Sequence, residues 1–512
     1  MSGSIMIELA DEAASEALAS SLAMLMRRGD LVRIEGDLGA GKTTMARAML
    51  RVLADDPELE VPSPTFTLVQ IYDLRTVRAI HVDLYRIDEP SGLDELGLED
   101  ELQTGVMIVE WPDKAGDRLP MTGLTIQLEE NDTGRLAVLT PLDEDWQERL
   151  QRYREIENLL NRAGWSNATR HRLPADASSR RYERLSNGPY GHAALLMDMP
   201  SRGDGPPVRN GLPYSRIAHL AEDIRAVAAI NQGLQNKGLS APSILAIDMD
   251  AGLAVIEDFG GSTYGAMLSA GKNIEPCLKA AVTMLAHMAG RDWPKEVQLA
   301  SCGETYQLQS YDLQALLIEA ELCLDWYWPH VRNDGVPEEV RTRFMQLWTK
   351  ALSPLGEGKQ VWTLRDFHVD NLFWLPERDG NQVVGLIDTQ DCVLGDPAYD
   401  LASLLQDVRV RFDRDLTDAL FEAYISLRHQ QDETFDRASF EATYALLGAQ
   451  RATKILGIFA RLNKRDGKPH YLGHLPRTSE VLEENLRHPA LTDLRTWFDE
   501  YLPAHLRTGS KP

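Results

Sequence analysis

Residues 36 to 43 read Gly36-Asp37-Leu38-Gly39-Ala40-Gly41-Lys42-Thr43, a G-x-x-x-x-G-K-T run between the apolar stretch Leu31-Val32-Arg33-Ile34 and a helix-like stretch from Met45 to Leu53. Strand, glycine-rich turn and helix in that order point successive backbone N–H groups at one anion beside a helix N-terminus. Lys42 then meets the β- and γ-phosphates of a nucleotide such as ATP, and the Thr43 hydroxyl offers itself to Mg²⁺. Gly36, Gly39, Ala40, Gly41 and Thr44 complete the cradle. Such a loop needs a carboxylate near the metal, and two acids end apolar runs: Asp83 after Ala79-Ile80-His81-Val82, and Glu110 after Val106-Met107-Ile108-Val109. Either can hold the metal or order a water. Either can equally be a solvated acid at a strand end.

A second set of chemical groups lies in the C-terminal half. The run Val361-Trp362-Thr363-Leu364-Arg365-Asp366-Phe367-His368-Val369-Asp370-Asn371 holds an Asp-x-x-x-x-Asn spacing, and the later apolar run Val384-Gly385-Leu386-Ile387 ends in Asp388. Phosphoryl transfer to a hydroxyl needs a carboxylate to accept the proton and oxygen ligands for the Mg²⁺ that bridges the phosphates. Asp366 suits the first task; Asn371 and Asp388 suit the second. Protein kinases add a lysine on the third strand of the small lobe, but Ala193-Ala194-Leu195-Leu196-Met197-Asp198 carries none. Arg180 and Arg181, in the turn before the first strand of this half, are candidates to replace its charge, or are plain loop cations.

The elements that must position these groups follow from periodicity. Helical spacing from Leu9 to Arg28 leads into the strand before the loop, and short apolar runs at 69–72, 79–82, 106–109 and 124–128 predict further strands. That is an α/β, P-loop NTPase domain. A helix from Trp146 to Ala163 follows, with the boundary placed so that residues 1–148 form one domain and 149–512 the other. In the second, β-type runs at 181–185, 193–197 and 254–257 flank a helix predicted from Ser215 to Gln235, and long helical stretches follow Thr263. A small lobe near 165–260 and a helical lobe near 261–512 make a two-lobed, protein-kinase-like α+β plan. The Pro/Gly-rich stretch from Pro200 to Pro213 reads as a loop.

Composition limits the function classes. The chain has 512 residues, 43% hydrophobic and 26% charged, with a formal charge of −25. Most of the acid excess falls in the first 150 residues, including the run from Asp88 to Glu101, so direct tight binding of nucleic acid by this part is disfavoured and a basic protein partner is favoured. No apolar run is long enough to span a bilayer, and the start lacks the basic and cleavable pattern of a secretion signal. A cytoplasmic location without membrane attachment is the expectation. Cys277, Cys302, Cys323 and Cys392 are widely spaced and predict reduced thiols, not a zinc site or disulfides.

Four stretches in matching order resemble the TsaE family: Gly36 to Thr44, Val61-Pro62-Ser63-Pro64-Thr65-Phe66-Thr67-Leu68-Val69, His81-Val82-Asp83-Leu84-Tyr85-Arg86 and Glu110-Trp111-Pro112. The resemblance implies an ATPase subunit that acts with TsaD-like and TsaB-like partners in making N6-threonylcarbamoyladenosine at position 37 of tRNAs, the tRNA being reached through the partners. It assigns Lys42 to phosphate, Thr43 and Glu110 to Mg²⁺, Asp83 to a Walker-B-like role, Thr65 to a switch-like loop and Trp111 to the nucleotide site. Trp111 reads equally as a packing aromatic.

The second half, with Asp366, Asn371, Asp388 and Gly395-Asp396-Pro397-Ala398-Tyr399-Asp400, resembles the aminoglycoside and choline phosphotransferase families. Asp396 and Asp400 read as loop braces. Leu364-Arg365-Asp366-Phe367-His368-Val369-Asp370-Asn371-Leu372 and Asp325-Trp326-Tyr327 are most similar to kinases that phosphorylate the anomeric C1 hydroxyl of N-acetylmuramate and N-acetylglucosamine in cell-wall recycling. In that likeness Asp325 becomes a sugar contact; on its own it reads as part of a core helix end. Two departures stand out: Leu364 occupies the position of a usual histidine, and the strand lysine is missing. The rival readings are a nucleotide-dependent switch for the first half, and a choline or aminoglycoside kinase or a degenerate binding module for the second.

Overall fold

The computed structural model describes residues 3–507 apart from 76, 94, 95, 133, 174–179 and 202. Asp94 and Glu95 of the acidic run, and the turn leading up to Arg180, therefore lie outside the described residues. The chain divides into two compact units, residues 1–173 with 183–193, and residues 174–182 with 194–512.

In the first unit β1 (Ile5–Leu9) and α1 (Glu12–Ala23) precede β2 (Leu31–Gly36) and α2 (Lys42–Ala54). Then come β3 (Val69–Asp73), β4 (Arg78–Asp83), α3 (Leu98–Thr104), β5 (Gly105–Glu110), β6 (Leu124–Asn131), β7 (Gly134–Pro141) and α4 (Glu144–Arg162). The seven strands form one sheet in the order β1-β7-β6-β2-β5-β4-β3, with β4, β5, β2 and β6 parallel. Parallel strands are covered on both faces, and the alternation is visible in β5: Val106 and Ile108 join one core, Met107 and Val109 the other. The helix predicted from Leu9 begins only at Glu12, where Asp11 caps it by accepting from Ala14 N at 2.8 Å; Leu9 itself ends β1. α4 docks on the sheet through buried Trp146, Leu150 and Tyr153, and its Arg149 bonds Asp30 at 2.5 and 2.8 Å. The hairpin β8 (Thr169–Arg172) and β9 (Arg181–Ser186) follows.

In the second unit β10 (Ala194–Asp198) precedes a short ribbon, β11 (Pro207–Arg209) and β12 (Leu212–Pro213), within the stretch expected to be plain loop. The helix predicted over 215–235 is two helices, α5 (Tyr214–Ile217) and α6 (Ile224–Asn236), parted at His219, whose φ of 53° cannot continue a right-handed helix. Asp223 caps the second by accepting from Arg225 N. β13 (Ile244–Asp248) and β14 (Leu253–Glu257) extend β10 into an antiparallel sheet. α7 (Tyr264–Ser269), α8 (Glu275–Gly290), β15 (Glu296–Gln298) and β16 (Thr305–Gln307) lead to α9 (Leu313–Leu322), α10 (Trp328–Arg332) and α11 (Glu338–Leu352). Four very short strands follow: β17 (Val361–Thr363), β18 (Leu372–Trp374), β19 (Val384–Leu386) and β20 (Val393–Gly395), paired β17 with β20 and β18 with β19. The chain closes with α12 (Ala398–Leu405), α13 (Arg414–Gln431), α14 (Arg437–Asp466), α15 (Leu475–Leu486), α16 (Thr492–Tyr501) and α17 (Ala504–Arg507). One large core joins α8, α9, α11, α12 and α14. Cys277, Cys323 and Cys392 are buried and Cys302 is exposed, all as free thiols. No helix among the described residues is long and apolar enough to cross a membrane.

Candidate functional site

In the first unit the end of β2 turns through Gly36, Gly39 and Gly41, with φ of 141°, 88° and 99°. Only glycine adopts these angles without strain, so the loop wraps with its N–H groups inward and feeds directly into α2. Lys42 is 5% exposed and donates to Gly36 O and Asp37 O, both at 2.8 Å, with its Nζ 3.6 Å from the centre of the Trp111 ring. Burial pushes its ammonium down, while Glu110, Asp83, Asp37 and Asp113 pull it back up. Parallel pairing of β4 with β5 sets Asp83 directly beside Glu110 at the strand ends, next to the end of β2. Thr43 Oγ1 donates to Glu110 Oε2 at 2.8 Å, and the other carboxylate oxygen lies 2.9 Å from His81 Nε2, whose imidazole N–H donates. Asp83 accepts from Ser63 Oγ at 2.9 Å, Thr65 Oγ1 at 2.5 Å and Tyr85 N at 3.0 Å. Thr44 Oγ1 reaches Glu12 Oε1 at 3.4 Å, facing α1 and not the loop. Trp111, partly buried against the core beside β5, takes φ 59°, lies tilted against Tyr85 with ring centroids 5.1 Å apart, and covers Lys42, so packing and site contact coincide in it. This concave nest, with Lys42, the Thr43 hydroxyl and two adjacent carboxylates, can hold a polyphosphate and a divalent ion.

In the second unit Asp366 sits in the loop after β17. Asp400, on α12, accepts from Leu364 N at 2.7 Å and Arg365 N at 2.9 Å, fixing that loop from below. Arg365 takes φ 67°, and its buried guanidinium pairs with Glu319 of α9 and donates to Ala218 O at 2.9 Å. Glu319 also receives Lys454 Nζ at 2.8 Å and the Tyr311 hydroxyl. Burial by itself raises Asp366, but the positive charges of α14 and the loop, Lys454 foremost, hold it below the usual carboxylate range. Asn371 Nδ2 donates to Asp366 O at 3.0 Å, tying the two sequence-predicted groups together. Asp388, at φ 60°, pairs with Arg180 at 2.5 Å. Burial, and then the like charges of Asp366 and Asp391, push Asp388 up against the pull of Arg180. Around Asp388 the carboxylates thus outnumber the cation that offsets them, the balance a bound divalent ion corrects.

The family model of the threonylcarbamoyl adenosine biosynthesis protein TsaE matches residues 9–137, and that of the phosphotransferase enzyme family matches residues 169–441. An N-acetylmuramate/N-acetylglucosamine kinase of Caulobacter vibrioides is 36% identical over 68% of this chain and 96% of its own length. A TsaE protein of Rickettsia conorii is 31% identical over 27% of this chain and 81% of its own. The chain belongs to both families. Among solved structures, the ADP-bound aminoglycoside phosphotransferase APH(2'')-Ib aligns over 65% of this chain and 96% of its own, at 13% identity and a TM-score of 0.39. The protein is accordingly an ATP-using enzyme built from a TsaE domain followed by a phosphotransferase domain.

Within the TsaE domain the structure gathers Gly36, Gly39, Ala40, Gly41, Lys42, Thr43, Asp83, Glu110 and Trp111 in one place. Sequence reasoning missed His81, fully buried against Glu110; its place two residues before Asp83 on the same strand face was the available signal. In the phosphotransferase domain Asp366, Asn371, Asp388 and Arg180 come together. Arg181 does not: it is exposed on β9, because the next residue along a strand points to the opposite face. Asp325 pairs with Arg341 at 2.8 Å, beside Glu321 and Arg209, and with none of the groups around Asp366. Glu319 and Lys454 were not legible, because a buried ion pair between two helices far apart in sequence leaves no local pattern.

Proposed function

We propose that the chain is bifunctional. Its first unit is an ATPase that serves N6-threonylcarbamoyladenosine formation at position 37 of tRNA, and its second transfers the γ-phosphoryl of ATP to the C1 hydroxyl of N-acetylmuramate or N-acetylglucosamine. The observation that carries the first half is the Thr43–Glu110 bond beside Lys42, in register with Asp83. The second half rests on Asp366, Asn371 and Asp388 converging with Arg180, in a domain that covers 96% of a kinase named for those sugars.

In the first site Lys42 supplies charge to the β- and γ-phosphates, Thr43 and Glu110 hold Mg²⁺, and Asp83 couples the Ser63–Thr65 loop to the phosphate end. His81 fixes Glu110 from behind, and Trp111 shields Lys42 from water. In the second site Asn371 and Asp388 hold the metal, and Arg180 stands in for the absent strand lysine. Bound Mg²⁺ would supply charge neutralisation at the phosphate oxygens in both. The sugar oxygen attacks the γ-phosphorus, its proton passes to Asp366, and ADP leaves. The cations around Asp366 keep it ionised and so able to accept that proton.

The first unit's partners in this reading are TsaD-like and TsaB-like subunits, which contact the tRNA, and its acidity favours protein docking over direct RNA contact. The setting is cytoplasmic. Two assays test the reading. ATP turnover should rise when the partner subunits are added. ³¹P NMR of a reaction with either sugar should display a C1 phosphate; a C6 phosphate rejects the anomeric assignment, and turnover of choline or an aminoglycoside instead rejects the sugar.

A further inference from the structure

Helix α14 presents three long polar side chains to the region of Asp366, and two of them bond into the cluster around Glu319. Gln450 donates to Leu316 O at 3.0 Å and reaches Glu319 at 3.4 Å, and Lys454 pairs with Glu319 at 2.8 Å. Arg451 is different. It is 5% exposed, yet it makes no hydrogen bond or ion pair with any described residue. Leaving a buried guanidinium unbonded is costly, since its five N–H donors lose water and gain nothing. None of its nitrogens is completely sealed, so the group faces open space and not the apolar core.

The surroundings say where that space is. Arg451 acts electrostatically on Asp366, Asp400 and His368, the catalytic loop and its brace. Arg180, the cation of the nucleotide side, acts on Asp388, Asp391 and Asp366. Asp366 is common to both groups, so the two arginines approach it from different sets of neighbours. A phosphoryl donor is already served by Arg180, Asn371 and Asp388. An unbonded arginine on the other set of neighbours is placed for the acceptor.

We propose that Arg451 binds a carboxylate on the acceptor sugar, making it the residue that favours an acid-bearing amino sugar over a neutral one. The inference deepens the amino-sugar kinase reading and rests on it. N-acetylmuramate carries a carboxylate on its lactyl ether and N-acetylglucosamine has none, so the two sugars are a matched pair of probes. A planar guanidinium can take a carboxylate through two parallel N–H···O bonds, which adds charge and geometry together.

The test uses the full chain and compares the two sugars, with the neutral carboxamide of N-acetylmuramate as a third acceptor. In the wild type KM should be about tenfold or more lower for N-acetylmuramate than for its carboxamide, the size of a charge-assisted pair. Arg451→Met should erase that difference by raising KM for N-acetylmuramate alone, with KM for N-acetylglucosamine unchanged and circular dichroism as the measure of fold. Arg451→Lys should recover part of it. Equal KM for acid and carboxamide in the wild type overturns the proposal without recourse to any variant. So does an equal kcat loss on both sugars in Arg451→Met and Arg451→Lys, which would place the arginine on the phosphoryl group. A wild type that phosphorylates neither sugar overturns the kinase reading itself, and the inference with it.

Discussion

The two proposed ATP sites of this chain solve one problem, holding carboxylates beside phosphate, by opposite means. In the TsaE domain the backbone does the positioning: parallel register sets Asp83 beside Glu110, and three positive-φ glycines shape the anion nest. In the phosphotransferase domain the strands near the chemistry are three residues long, and buried polar side chains do the positioning. Asp400 grips the loop, Arg365 is tied to Glu319, and Glu319 is tied to Lys454. A site built on sheet register tolerates change in remote side chains; a site built on a polar core does not. Non-glycine residues at positive φ occur in both, Trp111 in the first and Arg365 and Asp388 in the second, and in the second the polar core must over-determine the strain.

Asp366→Asn should give the largest effect. The amide matches the carboxylate in shape but cannot take the proton, so sugar phosphorylation should fall about 10³-fold with ATP affinity kept. Steady-state kinetics with a ³¹P readout checks it, and near-normal turnover would remove Asp366 as the base. Next, Glu319→Ala strips Arg365 and Lys454 of their shared buried partner, and should destabilise the second unit by about 3 kcal/mol while leaving the TsaE-domain transition in place. Denaturation followed by a probe in each unit separates the two; an unchanged second transition would mean the polar core is dispensable. Glu110→Ala in the TsaE domain should cut partner-stimulated ATPase about 10- to 100-fold and nucleotide affinity much less, since the glycine loop and Lys42 remain. Affinity falling in step with turnover would contradict that division.

The smallest effect concerns pH. Burial raises Asp396 to about 6, with the Ala398 N–H pulling the other way. A carboxyl with a raised folded-state pKa favours folding while protonated, and that contribution is lost as pH climbs from about 4 through about 6. Asp396→Asn, which keeps the acceptor for Ala398 N, should therefore gain stability relative to wild type as pH rises, and level off above pH 6. A difference that stays flat between pH 4 and 7 would show that Asp396 is ionised throughout.

The same contrast explains what could be read before the structure. The glycine loop, Lys42 and Thr43 were legible because their chemistry is local: eight consecutive residues make the nest. Asp83 and Glu110 were legible as strand ends, since central parallel strands are continuous apolar runs. β1 and β7 were not recognised; they pair antiparallel at the sheet edge, where Ile5 to Leu9 is only partly buried and its pattern merges with the following helix. The break at His219 and the ribbon at 207–213 depend on turn geometry that composition does not encode. Arg180 was recognised by charge but could not be separated from Arg181, because only the strand face decides which one reaches Asp388. Glu319, Arg451 and Lys454 look like ordinary surface charges on helices, and only the packing of α9 and α14 buries the first two and nearly buries the third.

In the proposed reading one chain holds two independent ATP sites of these two kinds. Equilibrium binding of a non-hydrolysable ATP analogue to the full chain, with wild type and Lys42→Ala side by side, tests it most directly. Two nucleotides should bind per wild-type chain and one per Lys42→Ala chain, with sugar phosphorylation by the variant intact. A single nucleotide on the wild type, or loss of sugar phosphorylation in a folded Lys42→Ala protein, would contradict it.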